Sequence, residues 1–280
     1  VSAGTGGARM AFEMRAFAGS AQFLFIESNY VSAVDLRRNG VARSEIMLIG
    51  RETLGGHGSF NDPSKACAAL TEAQTQVEEW MNDKDIIFVV ATGGKGTGMG
   101  TFLPLCRWAQ TLDKWVIPVF AQPCIGGEVD AATHANVLHA IEEARALNLR
   151  LVHVVNAIVF DPKRALPKEQ AFRLLNESIG GSVGALAQIL AEGRQIDLSD
   201  LSAMLAGPGE LLIGHAEKEY DAAIPSQHRI RKAVASLVAE CLDVPFLNFP
   251  GTVDQAVSSI SMPETWPAWV EKEVSEVAGS

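Results

Sequence analysis

The sequence lacks any long apolar run. Stretches such as Ile86 to Ala91 fall far short of the roughly 20 residues a membrane helix needs, and residues 1 to 20 carry no apolar block of the kind a secretory signal requires. Paired cysteines are lacking too. Cys67, Cys106, Cys124 and Cys241 are widely separated, with no CxxC or Cys/His ligand spacing, so a zinc site or disulfide framework has little support and all four read as reduced core thiols. Basic clusters are missing: 33 acidic residues outnumber 23 basic ones, for a net charge of −10. Lys and Arg are spread along the chain, which argues against a nucleic-acid-binding surface. Together these absences point to a cytoplasmic chain with no membrane span.

What is present is globular. The 280 residues are 48% hydrophobic and 20% charged, with 25 Gly and 12 Pro, enough for one large domain or one large and one small. The chain opens at Val1 and enters a glycine-rich turn within three residues, which suggests an abbreviated first strand and a piece of a longer protein. Strand-like runs alternate with helical patterns, the signature of an α/β fold with a mostly parallel sheet between helices. Strands are expected over 22–27, 86–91, 115–121 and 149–155, and helices over 63–81, 102–112 and 129–147. From 167 to about 192 the apolar residues Ala171, Leu174, Leu175, Ile179, Val183, Leu186 and Leu190 recur at helical spacing, which predicts a long central helix carrying Gly180 and Gly181 inside it. A boundary is placed at 193, with a smaller α+β unit over 194–280; strands near 211–214 and 245–249 and helices over 230–242 and 263–277 are expected there.

The chemistry concentrates in Ala91-Thr92-Gly93-Gly94-Lys95-Gly96-Thr97-Gly98-Met99-Gly100. Five glycines fall within eight residues, 93 to 100, directly after a buried strand and before a helix. Such a segment presents successive backbone N–H groups at a helix N-terminus, where the macrodipole favours an anion. Neither the P-loop pattern nor G-x-G-x-x-G is present. Gly4-Thr5-Gly6-Gly7 and Leu54-Gly55-Gly56-His57-Gly58 read as two further loops at strand ends, and Asp62-Pro63 offers N-cap and N1 chemistry after the second. Each loop alone reads equally well as a tight turn; three at one sheet edge would surround a polyphosphate. The histidines outside these loops, and Arg107-Trp108, read as structural or surface residues.

The run Gly94-Lys95-Gly96-Thr97-Gly98-Met99-Gly100 resembles the G-G-G-T-G-[ST]-G signature of the tubulin and FtsZ superfamily. The resemblance extends in order over about residues 1 to 215, and Ala171-Phe172-x-x-x-Asn176 together with Asp197-Leu198-Ser199-Asp200 is more similar to bacterial FtsZ than to eukaryotic tubulin. It implies that Gly4, Gly6, Gly7, Gly55, Gly56, Gly58, Gly94, Gly96, Thr97 and Gly98 bind the phosphates of GTP or GDP. It further implies that Asn156 and Asn176 read guanine, with Phe172 stacking on the base and Glu128 near the ribose. Mg²⁺ would arrive with the nucleotide, and no separate metal site is expected. Asp197 and Asp200 would be the catalytic carboxylates, reaching into the pocket of the next subunit of a head-to-tail filament and orienting the attacking water. Asp197 or Ser199 is also a good helix N-cap, and both readings stay open.

Several positions depart from the family pattern. Ala8-Arg9 stand where an Asn usually follows the first glycines, Glu27-Ser28-Asn29 replaces Asn-Thr-Asp, Ala132 falls where a basic residue is expected, and Lys95 replaces a glycine. The resemblance thus implies a divergent GTPase that polymerises head to tail, with hydrolysis at the subunit interface. The alternative is a guanine-nucleotide-binding filament or regulatory protein with little or no hydrolysis. A nicotinamide-dependent oxidoreductase is disfavoured by the order of the glycines. Adaptor proteins are not specified by any residue.

Overall fold

The computed structural model describes residues 1–124, 128–156 and 167–192, together with Leu205, Gly209 and Glu210. Strands and helices alternate along them: β1 (Ser2–Ala3), α1 (Gly4–Met14), β2 (Phe25–Glu27), α2 (Tyr30–Arg38), β3 (Ile46–Leu48), α3 (Pro63–Thr71), α4 (Gln74–Asn82), β4 (Ile86–Thr92), α5 (Gly96–Thr111), β5 (Trp115–Gln122), α6 (Ala131–Ala146), β6 (Arg150–Val155), α7 (Lys168–Glu192) and β7 (Gly209–Glu210). The strands form one sheet in the order β3-β2-β1-β4-β5-β6-β7, and every pairing in it is parallel. The expected α/β architecture is therefore present.

β4 and β5 run in register from Ile86↔Trp115 to Thr92↔Ala121, and their interiors are buried and continuously apolar, as strands covered on both faces must be. On one face Ala69, Leu70, Val77 and Met81 from α3 and α4 join Phe102, Leu105 and Ala109 of α5 and Val137 and Ile141 of α6. On the other, Met10 and Met14 of α1 meet Ala171, Leu175, Ile179, Val183 and Leu186 of α7 against Val90, Ile117, Val119 and Val154. Leu205 belongs to this second core, and β7 pairs with Arg150 and Leu151 of β6, so part of the chain beyond 193 packs on the first sheet.

Three expected elements are redrawn. Gly4 to Gly7, read as a loop, is the first turn of α1, and the loop before α5 is shorter than expected because that helix begins at Gly96 rather than Phe102. The single helix expected over 63–81 is two, α3 and α4, separated at Glu72 and Ala73. Cys106 is a core thiol, whereas Cys67 and Cys124 are only half-buried; Cys241 and the elements expected from 211 onward lie outside the described residues. Among those residues no helix is long and apolar enough to cross a membrane.

The glycines inside α7 have a packing reason. A Cβ on Gly180 would stand 2.5 Å from Glu13 Cβ and 2.9 Å from the Glu13 carbonyl carbon, and one on Gly184 would stand 2.8 Å from the Met14 oxygen. One turn apart, these two positions let the C-terminal end of α1 press backbone to backbone onto α7. Helix propensity alone says that Gly180→Ala should stabilise by about 1 kcal/mol. The contact reverses the sign: Gly180→Ala is predicted to lower the urea midpoint, and Gly180→Val to cost about 2 kcal/mol or more.

Candidate functional site

From β1 the sheet grows to β2 and β3 on one side and, from β4, to β5, β6 and β7 on the other. In an open parallel sheet the crevice for a ligand lies at the carboxyl edge where the order reverses, here between β1 and β4. α1 leaves β1 directly, and α5 leaves β4 through Gly93-Gly94-Lys95. The first-turn N–H groups of a helix have no intrahelical acceptor. Asn29, Asp62 and Asp130 cap α2, α3 and α6 with their side chains. The residues before α1 and α5 are Ala3 and Lys95; neither side chain caps, and neither first turn carries an acid.

These two uncapped helix starts are adjacent. A Cβ on Gly4 would lie 3.0 Å from the Gly98 nitrogen and 3.2 Å from Thr97 Cβ, and one on Gly98 would meet the Thr92 carbonyl oxygen at 2.4 Å. Gly6 and Gly7 press onto Thr92 and the Val90 carbonyl in the same way. Only a missing side chain permits this approach. Gly94, with φ +87°, turns the chain into α5 in a conformation that L residues rarely adopt.

Thr97 ties the neighbouring loops to this pair. Its hydroxyl lies 2.7 Å from Ser28 Oγ and 3.5 Å from Ser59 Oγ, and its carbonyl accepts from Thr101 Oγ1 at 2.7 Å. Of Gly55, Gly56 and Gly58, expected to hold phosphate, Gly56 lies against Tyr30 and Gly58 against Asn29, at the β2–α2 turn. Tyr30 N donates to Gly56 O at 2.8 Å and Gly58 N donates to Ser28 O at 3.0 Å, so the Gly58 amide is already engaged. The 50–62 loop reaches the cradle through Ser59, against which Gly96 packs. The structure thus brings Gly4, Gly6, Gly7, Gly94, Gly96, Thr97 and Gly98 to one edge, with Gly58 joined to it through Ser28.

The second cluster lies at the ends of β5 and β6. Asn156 is 4% exposed, and its Nδ2 donates to Glu128 Oε1 and Oε2 at 3.2 and 3.0 Å. Glu128 also accepts from Cys124 N at 2.8 Å. With its amide nitrogen committed to that carboxylate, Asn156 Oδ1 is buried and, among the described residues, without a partner, an acceptor that a ligand N–H or O–H could satisfy. Phe172 and Asn176 are half-buried one turn apart on α7, next to its buried stripe, and the Lys168 ammonium stands 5.8 Å from the Phe172 ring centroid. Asp197 and Asp200 lie outside the described residues.

Sequence reasoning missed three features. The Ser28–Thr97–Ser59 hydroxyls left no spacing signal. Gln122 links the His153 ring at 2.7 Å to the His134 ring at 2.8 Å, beside the segment that carries Glu128. Glu27 shows in the sequence pattern only as a displaced acid, yet it is 1% exposed; burial pushes its carboxyl up to about 8, with the Thr5 hydroxyl pulling the other way.

No protein-family model matches the chain. Cell division protein FtsZ 1 of Pyrococcus horikoshii is 22% identical over 209 residues, which are 74% of this chain and 54% of that protein. The chain is similar to FtsZ and its tubulin-like relatives in sequence and in fold. An empty FtsZ dimer from M. jannaschii superposes with a TM-score of 0.71 at 20% identity, covering 88% of this chain and 68% of that one. GDP-bound monomeric CetZ1 from Haloferax volcanii gives 0.68 at 19% identity over 84% and 71%. A GTPγS-form protofilament of TubZ from Bacillus thuringiensis serovar israelensis gives 0.58 at 15% over 88% and 69%. The chain spans about half the length of the curated relatives it matches.

Glu27 makes stability pH-dependent in this FtsZ-like chain. Its carboxyl ionises near 4.5 when unfolded and near 8 when folded. The unfolded state therefore loses the proton first. Stability present below the lower value drains away as pH climbs to the higher one, on the order of 1.4 kcal/mol per pH unit. Glu27→Gln has no proton to lose, so its stability advantage in urea unfolding is predicted to widen from pH 5 to 8 and then level off. A constant difference across that range contradicts the buried-acid account.

Proposed function

We propose that the chain is an FtsZ/tubulin-like GTPase that holds guanosine di- or triphosphate at the β1–β4 crevice and assembles head to tail. One observation carries this reading: two helix N-termini, each bare of a side-chain cap, stand side by side at the switch point of the sheet. Together they offer a polyphosphate several N–H donors and two positive dipole ends. The GDP- and GTPγS-bound relatives of the same fold support the choice of nucleotide. The orphan Asn156 Oδ1 suits the N–H edge of guanine, with Asn176 and the stacking ring of Phe172 on α7 and Glu128 orienting Asn156. Among the described residues no three His, Cys, Asp or Glu side chains group to hold a metal. The family resemblance implies that magnesium enters with the nucleotide phosphates.

The hydrolytic step is assigned to Asp197 and Asp200 of an adjoining copy. Phosphoanhydride cleavage needs a positioned water and charge stabilisation rather than covalent catalysis. Phosphate release per chain is expected to rise with protein concentration, and Asp200→Ala is expected to bind GTP normally while losing most turnover. The substituted positions Ala8-Arg9, Ala132 and Lys95 favour a second reading, in which nucleotide binding governs assembly without appreciable hydrolysis. Turnover that stays flat with concentration while binding is stoichiometric would establish it.

Lys95 offers a test that separates binding from folding. It is exposed, precedes α5, and has the extended backbone of an N-cap, φ −132° and ψ 156°. Lys95→Asp supplies the missing cap and claims the Thr97 and Gly98 amides for its own carboxylate. That should stabilise the fold by about 1 kcal/mol while weakening GDP binding at least tenfold in a fluorescence titration. Unchanged GDP affinity in a stabilised variant would exclude these amides as the phosphate site.

A further inference from the structure

Glu27 is the one buried acid of this edge that nucleotide binding as described does not use. It ends β2 and adjoins Ser28, whose hydroxyl is bound to Thr97 at the start of α5. The Thr5 hydroxyl, in the first turn of α1, reaches its carboxyl. Among the described residues Oε1 has no hydrogen-bond partner, and Glu27 is 1% exposed. The titratable groups on the surrounding elements are Arg9 and Glu13 of α1, Tyr30, Asp35, Arg37 and Arg38 of α2, Arg51, Glu52, His57 and Asp62 of the 50–62 loop, and Lys95 and Arg107 at α5. The causes that shift Glu27 are burial first and the Thr5 hydroxyl second, with no charged neighbour among them.

We propose that Glu27 makes the phosphate cradle proton-linked: a polyphosphate held by the α1 and α5 amides requires the uncharged carboxyl behind them, and ionisation of Glu27 weakens that hold. The proposal rests on the reading of this edge as a polyphosphate site. Its physical basis is the repulsion between a bound anion and a carboxylate that neither water nor a counter-ion screens. By linkage the effect is reciprocal, so the ligand raises the proton affinity of Glu27 by the factor by which the proton raises ligand affinity. With burial pushing its carboxyl up to about 8, Glu27 stands beside the site as a neutral group rather than as a counter-charge. A carboxylate that held a divalent cation beside the phosphates would behave in the opposite sense, with affinity rising as the proton leaves.

GDP binding to the whole chain, followed by calorimetry between pH 7 and 9 in EDTA and again in Mg²⁺, tests this. Two buffers of different ionisation enthalpy report proton uptake, and Glu27→Gln is run alongside to cancel titration of the ligand itself. The expected result is net proton uptake near pH 8 by the parent and none attributable to the protein in Glu27→Gln. Parent affinity should fall toward tenfold per pH unit above about 8, with the variant binding more tightly than the parent at pH 9. Equal pH profiles for the two proteins overturn the proposal and leave the nucleotide reading intact. Parent affinity that rises with pH only in Mg²⁺ overturns it in favour of a cation ligand. If neither protein binds GDP at any pH, the polyphosphate reading falls and the proposal falls with it.

Discussion

The close approach of α1 and α5 at the centre of the sheet is the constraint on which the rest of the structure depends. Neither helix can begin where it does unless the residues facing β4 have no side chains: Gly6 and Gly7 against Thr92 and Val90, and Gly98 against the Thr92 carbonyl. That requirement explains the glycines before any ligand is considered. It also has a chemical consequence. A glycine-built helix start has no serine, aspartate or asparagine to satisfy its first amides, so the packing solution leaves two sets of N–H donors pointed at one crevice. The same residues that allow the fold leave bare the two helix starts on which the proposed anion site rests.

The two sides of the sheet contribute differently. α3 to α6 build the larger core, and the 50–62 loop that leads into α3 braces the cradle through Ser59 and Thr97. On the other face α7 runs from the Phe172 and Asn176 turn, along α1, to the segment that precedes Asp197 and Asp200. Gly180 and Gly184 fix its distance from α1. A ligand that orders the first turn of α1 therefore acts on a helix that is packed along the element carrying two of the proposed base contacts.

β2, β4, β5 and β6 and the helices from α3 to α7 were legible because burial on both faces forces continuous apolar runs at β4 and β5, and because α7 keeps helical spacing over 25 residues; the short α2 and β3 carried no such signal. The glycine segments were legible as anion-binding chemistry. Their local form was not: Gly4 to Gly7 has poor helix propensity and reads as a turn, and only contact with β4 makes it helical. The break between α3 and α4 at Glu72 and Ala73 carries no glycine or proline. Asn156 and Glu128 came from resemblance, and their mutual hydrogen bonds are a tertiary fact. Glu27 was illegible as a buried acid, since nothing in Phe25-Ile26-Glu27 distinguishes a carboxyl in water from one buried beside the first turn of α1.

Amide hydrogen exchange with and without GDP tests the central claim most directly. The account predicts that added GDP slows exchange at Thr5 and Gly6 of α1 and at Gly96, Thr97 and Gly98 of α5, while the capped first turns of α2 and α6 change little. Slowing spread evenly over the chain, or confined to other helix starts while these five amides exchange as before, would contradict it.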